Sequence, residues 1–250
     1  MRSATVSRNG KHWYVSILCE VEVAAPVHPS SSAVGVDRGV AILAACSDGK
    51  DYSNVKALGK YQKRLAKAQR ALSRKVKFSN NWKRQKEVIQ TIHSKIANIR
   101  RDALHKASTE ISKNHAMIFM EDLGVSRMSK SAKGTKERSG VNVRAKSGLN
   151  RSILDAGWSM FARMLEYKQS WRGGTVQYVP AAYTSQRCSV CGHTDKNNRL
   201  SQSKFQCQHC GHNENADRNA AKNILAAGHA VLACGVKTLV NTVKQEPLAA

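Results

Sequence analysis

Four cysteines stand in two tight pairs, Cys188 with Cys191 and Cys207 with Cys210, and fifteen residues separate the pairs. Two CxxC steps at this separation have the spacing of a structural zinc site. Four thiolates complete a tetrahedral Zn²⁺ and leave no position open for a substrate, so the expected role is structural. Each pair is followed by Gly-His, at Gly192-His193 and Gly211-His212. Glycine there frees backbone to approach the sulfurs. His193, His209 and His212 are surface or supporting residues on this reading, because the cysteines already fill the site. Cys19, Cys46 and Cys234 are isolated in the sequence and read as core packing.

The carboxylates carry a second chemistry. The chain has 41 Lys and Arg against 17 Asp and Glu, a formal charge of +24 over 250 residues. A chain this basic is expected to meet a polyanion, and nucleic acid is the reading taken here. Acids close to bound phosphates repel them, unless the acids hold Mg²⁺, which bridges carboxylate and phosphate oxygens. Asp37 ends a short β-rich run, Glu121 follows the apolar run "AMIFM", and Asp217 starts a helix. A β-rich core would bring these three together. Other acids read differently. Asp48 before Gly49 is a turn residue, and Asp122 is expected to point away from Glu121. Asp195 is expected to be exposed in the cysteine module, where Glu214 has no evident partner.

The elements that must position these groups follow from the patterning. Residues 3–23 read as two strands around Asn9-Gly10, a hairpin turn signal, and "APVHPSSS" reads as a linker. Residues 33–47 read as a β-hairpin turning at Arg38-Gly39. A helix is expected over 53–77, where Leu58, Tyr61, Leu65, Ala68 and Leu72 recur at 3–4 spacing. From Tyr52 to Phe78 there are nine Lys or Arg and no acid, so Lys60, Lys63, Arg64, Lys67, Arg70 and Arg74 are candidate phosphate contacts. After a break at "FSNN", with Ser79 as N-cap, a second helix runs from about Trp82 to Asn114. A buried strand is expected over 116–120. Residues 126–150 are Lys-, Ser- and Gly-rich and read as a mobile loop. Then come a helix over about 152–171, a strand over 175–179, the cysteine module, and a helix over about 216–227. No clear structure is expected from Gly235 on. No apolar run reaches membrane-span length, and the segment after Met1 lacks a signal-peptide apolar region.

Set in order, "VGVDRGVAILAACSDG" (34–49), "FMEDL" (119–123) and "NADRNAAKNIL" (215–225) resemble the three RuvC-type motifs of TnpB-like proteins. These are the transposon-encoded OrfB relatives of type V CRISPR effectors. "SKIANIRRDALHKASTEISKNH" (94–115), "GLNRSILDAGWSMFARMLEYK" (148–168) and "TSQRCSVCG" (184–192) extend the likeness. The resemblance runs from about Val6 to Ala233. It implies an α/β fold, an RNase H-like (RuvC) mixed sheet with an inserted long helical hairpin (53–114) and a zinc ribbon (185–213). In that division residues 31–184 form the nuclease core and 214–234 its last helix, with a flexible tail over 235–250. It further implies Asp37, Glu121 and Asp217 as a catalytic triad binding two Mg²⁺, DNA as substrate and a guide RNA as partner. Ser185, Gln186, Arg187 and Arg218 become candidate nucleic-acid contacts. Family members usually carry an N-terminal β-barrel and helical lobe. Residues 1–30 are therefore expected to be a remnant of the barrel, with the rest of that region absent. The location expected is cytoplasmic, at the nucleoid. A non-catalytic nucleic-acid-binding protein is the competing class. A guide-independent, structure-specific nuclease is a third option. The triad separates the first reading from the binder, which has no use for three acids in a basic cleft.

Overall fold

A computed structural model of the chain describes residues 2–10, 12–180 and 182–233. The expectations for Cys234 and for a flexible tail over 235–250 lie outside the described residues. Those residues divide into two units, one of 2–25 with 56–102 and one of 26–55 with 103–233.

In the first unit, β1 (Ser3–Asn9) and β2 (His12–Leu18) pair antiparallel from Ser3↔Leu18 to Asn9↔His12. Gly10 takes φ 61° in the turn, a conformation open to glycine at little cost. Cys19, expected in a core, is exposed, because the strand it follows is exposed along its whole length. The helix α1 (Ala57–Ser73) buries Ala57, Leu65 and Ala68. It starts four residues later than expected, because Asp51–Ser53 pair as a strand instead. The long helix α2 (Asn80–Asn114) begins where Ser79 Oγ accepts the Trp82 N–H at 3.2 Å, the N-cap read from the sequence. Ile92 and Ile96 are buried on its first half.

The second unit is built on a five-stranded sheet. Its strands are β3 (Ala33–Asp37), β4 (Ile42–Cys46), β5 (Asp51–Ser53), β6 (Met117–Glu121) and β7 (Thr175–Val179), in the order β5-β4-β3-β6-β7. β3, β4 and β5 form an antiparallel meander, while β3, β6 and β7 run parallel. A meander continued by parallel strands is the mixed RNase H-like sheet implied by the resemblance. The central strands β3 and β6 are buried through their middles, as apolar runs covered on both faces should be. Val34, Val36, Ile118 and Met120 pack with Leu104, Ile111, Phe161 and Leu165 in the main core.

The segment 126–150, expected as a mobile loop, carries α3 (Val125–Met128) and most of α4 (Val143–Ala156). Ile153 and Ala156 near its C-terminal end enter the main core, and polar clamps hold its first half: Lys146 Nζ donates to Met128 O at 2.5 Å, and Asn150 Nδ2 donates to Ser129 O at 2.9 Å. The single helix expected over 152–171 is two helices. Gly157, at φ 72°, ends α4 and starts α5 (Trp158–Arg172). Trp158 then donates its indole N–H to Gly39 O at 3.1 Å, pinning the new helix to the β3–β4 turn. Beyond β7 lie the short strands β8 (Lys204–Gln206) and β9 (Asn213–Asn215). The last helix, α6 (Ala216–Ala233), runs six residues past the expected end. Among the described residues no helix is long and apolar enough to cross a membrane.

Candidate active site

Asp37 and Glu121 end two adjacent parallel strands. The register pairs Val36 with Met120, so the next residues on each strand are the two acids. The carboxyl ends of parallel strands are where open α/β sheets bind ligands. Asp217 comes from a different element. Asn215 Oδ1 accepts the Asp217 and Arg218 N–H groups at 2.9 and 3.3 Å, which caps α6. Asp217 thus sits in the first turn of a helix that packs on β3.

Two glycines allow this packing. A Cβ on Gly35 would lie 2.1 Å from Ala221 O and 2.6 Å from Leu225 N, both backbone atoms of α6. A Cβ on Gly228 would lie 2.2 Å from the Phe119 ring. Helix and sheet approach as closely as backbone permits, and Ala221 is one turn beyond Asp217.

Glu121 and Asp217 both act on Asp37, although the three carboxylates are not drawn within 4.8 Å of one another as the cysteine sulfurs are. Asp37 is pushed up to about 7, first by burial, then by the charges of Glu121 and Asp217. Glu121 is raised by burial, against the lowering effects of the Thr184 hydroxyl, Arg38 and Arg199. Asp217 is raised by burial and Asp51 and lowered by Arg199, whose Nη2 stands 3.5 Å from its Oδ1. Crowding of this kind raises the pKa of like-charged carboxyls.

Sequence reasoning missed the residues that hold the acids in place. Arg38 is 6% exposed and donates from Nη2 to the Glu121 carbonyl, tying the ends of β3 and β6 together. Burial lowers its pKa, while Tyr178, Glu121, Asp37 and Asp122 oppose the shift. Thr184 donates its hydroxyl to Glu121 Oε1. Thr184 is itself clamped by α6: Asn223 Nδ2 donates to Thr184 O at 2.9 Å and to Arg187 O at 2.7 Å. One turn earlier, Asn219 Nδ2 donates to Arg187 O at 2.8 Å and Oδ1 accepts the Ser189 N–H at 2.9 Å. The i, i+4 spacing of Asn219 and Asn223 was a visible signal, since it puts two amides on one helix face.

The candidate contacts near the cysteines fall into this clamp. Ser185 and Gln186 are half-buried, and Arg187 is exposed with its carbonyl held by both asparagines. Arg218 donates to Asp51 Oδ2 at 3.0 Å. Lys60, Lys63, Arg64, Lys67, Arg70 and Arg74 are all exposed on α1. Their 3–4 spacing makes one basic stripe opposite the helix's apolar face.

The four cysteines converge. Their sulfurs lie within 4.8 Å of one another, the only such group of three or more metal-ligating side chains among the described residues. Cys188 and Cys210 Sγ are 3.7 Å apart, and Cys191 and Cys207 Sγ 3.5 Å. A tetrahedron with Zn–S of about 2.3 Å has an edge of about 3.8 Å, so the sulfurs fit that ion. The two knuckles close alike. Cys188 N–H donates to His193 O at 2.9 Å and Cys207 N–H to His212 O at 2.8 Å, with Gly192 and Gly211 at φ 75° and 74°. Asn198, fully buried, ties them together through Gln186 O, His193 O and the Gln208 N–H. Two acids near the ribbon have roles not foreseen. Asp195 accepts the Asn197 N–H at 2.7 Å, and Glu214 takes Lys222 at 2.5 Å and His212 at 3.3 Å.

The fold places the chain among proteins with an RNase H-like mixed sheet. The chain resembles the OrfB (TnpB-like) family: the IS605 OrfB profile described as "Probable transposase" matches residues 16–132, and the "Cas12f1-like, TNB domain" profile matches 158–224. It is 63% identical over 99% of its length to "Putative RNA-guided DNA endonuclease InsQ" of Escherichia coli (strain K12), and covers 62% of that protein. It is 36% identical over 98% of its length to a "Putative RNA-guided DNA endonuclease" of Streptomyces pristinaespiralis, covering 60%. The chain thus spans about three fifths of the length of these relatives. Among solved structures, a "Cas12f1-sgRNA-target DNA complex" aligns over 88% of this chain and 55% of its own, with TM-score 0.51 at 22% identity, a likeness of fold.

Proposed function

We propose that this chain carries the DNA-cutting centre of an RNA-guided, metal-dependent endonuclease of a mobile element. The observation that carries the reading is that Asp37 and Glu121 end neighbouring strands β3 and β6 while Asp217 opens α6, near enough that the charges of Glu121 and Asp217 add to burial in pushing Asp37 up to about 7. Carboxylate oxygens suit a hard divalent cation such as Mg²⁺. Two Mg²⁺ held by these carboxylates would supply activation of water and stabilisation of the leaving 3′ oxygen of a phosphodiester.

The chain's own residues prepare that site. Asp37, Glu121 and Asp217 are the ligands. Thr184 orients the Glu121 carboxylate, Arg38 fixes the strand ends, and Arg199 sets positive charge beside Asp217. The exposed basic stripe of α1 provides phosphate contacts for DNA or guide RNA. Cys188, Cys191, Cys207 and Cys210 hold a structural Zn²⁺, so the ribbon that presents Arg199 keeps its shape. The proposed domain division follows these roles: a nuclease core over 31–184, a ribbon over 185–213 and the helix carrying Asp217 after it. DNA as substrate and RNA as guide come from what the relatives are named for.

The test incubates the chain with Mg²⁺ and labelled DNA, with and without a family guide RNA, beside Asp37→Ala. Cutting that requires Mg²⁺ and vanishes in the variant is expected. Equal cutting by both proteins, or no cutting with any guide, refutes the reading.

A further inference from the structure

The turn between α1 and α2 has a composition that the acidic site does not explain. From Arg70 to Lys86 there are seven Lys or Arg and no acid. Within this run Phe78 is 66% exposed and Val76 is 79% exposed. Phe78 also takes φ 69°, in the left-handed region. A bulky residue there is a backbone outlier that glycine or asparagine would relieve. Strain of this kind at an exposed residue points to function.

The side chains form a small platform. The Phe78 and Trp82 rings stand 5.5 Å apart, centroid to centroid. Lys77 Nζ lies 5.2 Å over Phe78, and Lys86 Nζ lies 5.4 Å over Trp82. The first turn of α2 contains no acid, so the positive end of a 35-residue helix dipole adds to these cations. An exposed Phe78 ring beside a half-buried Trp82, both set among cations, matches the two parts of a nucleotide: a base face for the rings and phosphates for the cations. A partner held by apolar contact alone would gain nothing from seven cations.

We propose that the α1–α2 turn is a stacking site for single-stranded nucleic acid, with Phe78 and Trp82 taking unpaired bases and the flanking lysines and arginines their phosphates. A base face and a phosphate carry no 2′-hydroxyl, so DNA and RNA strands bind alike. A closed duplex keeps its bases stacked inside and offers the turn phosphates alone.

The experiment measures fluorescence anisotropy of labelled 15-nucleotide oligothymidine, oligouridine and a blunt duplex with the full chain in Mg²⁺-free buffer, where cleavage plays no part. Phe78→Gly removes the ring and relaxes the left-handed strain, so helix content by circular dichroism should be kept. Base–aromatic stacking predicts roughly 5- to 100-fold weaker binding of both single strands. The log–log salt slope should be unchanged, because no phosphate contact is lost, and the duplex should bind as before. Trp82 emission should be quenched by oligothymidine, and Trp82→Phe should remove that quench. Single-strand affinity within twofold of wild type, an equal loss for the duplex, or a loss confined to one sugar type overturns the proposal.

Discussion

Gly35→Ala tests the packing that sets Asp217 beside the strand ends. The added Cβ would stand 2.1 Å from Ala221 O, about 1.3 Å short of ordinary contact, and 2.6 Å from Leu225 N. Both are backbone atoms of α6, so no side-chain rotation relieves the clash. Either the helix lifts from β3 or the strand bows. Overpacking of this kind costs about 1–3 kcal/mol. Because Ala221 is one turn from Asp217, the same displacement carries that carboxylate away from Asp37. A misplacement of about 1 Å at a catalytic centre costs roughly 100-fold in rate. Gly148→Ala is the control: Gly148 lies exposed within α4 with nothing within 4 Å of its Cβ. There alanine should stabilise by about 1 kcal/mol. Urea unfolding and DNA cleavage, measured on both variants, separate the effects. Gly35→Ala should lower the midpoint and the rate, and Gly148→Ala should lower neither. A Gly35→Ala protein with wild-type stability and activity would show that α6 does not seat on β3 as described.

Three further outcomes follow from the site. Asp37 has a folded pKa raised from 3.8 to about 7, so the folded state binds its proton more tightly and stability is lost as pH rises through that window. Freed of Mg²⁺, Asp37→Asn should therefore be more stable than wild type at pH 8, by on the order of 4 kcal/mol, and no more stable near pH 3.5; urea titrations at the two pH values check this. Thr184→Val removes the hydroxyl that serves Glu121, and losing a partner of this kind should lower divalent-ion affinity or cleavage roughly 10- to 100-fold, with the fold intact by circular dichroism. Cys207→Ser should reduce zinc from about one to zero ions per chain by metal analysis, with loss of amide protection across 185–213.

The parts of this account that were legible in the sequence are those that local pattern controls. The spacing of the cysteine pairs pointed to the cluster that their sulfurs form, while Asp37, Glu121 and Asp217 were singled out among 17 acids by their places at element ends and by the order of the three motifs. Ser79 marked the start of α2 through cap chemistry. The residues that escaped depend on long-range partners. Arg38 reads as a turn residue until β6 is placed beside β3, and Thr184 reads as ribbon lead-in until Asn223 anchors it. The first half of α4 escaped because polar clamps hold it while the buried Ile153 and Ala156 lie near its C-terminal end, and Gly157 gave no sign that it divides two helices rather than lying within one. Cys19 was misplaced because an isolated cysteine carries no signal of which face, if any, will be covered.

The most direct test of the acidic site is the stoichiometry of Mn²⁺ binding by zinc-loaded chain at pH 8, in wild type and in Asp37→Ala, Glu121→Ala and Asp217→Ala. Two ions per wild-type chain are expected, with at least one lost in each variant. Binding that none of the three substitutions changes would contradict the assignment of these carboxylates as the metal ligands.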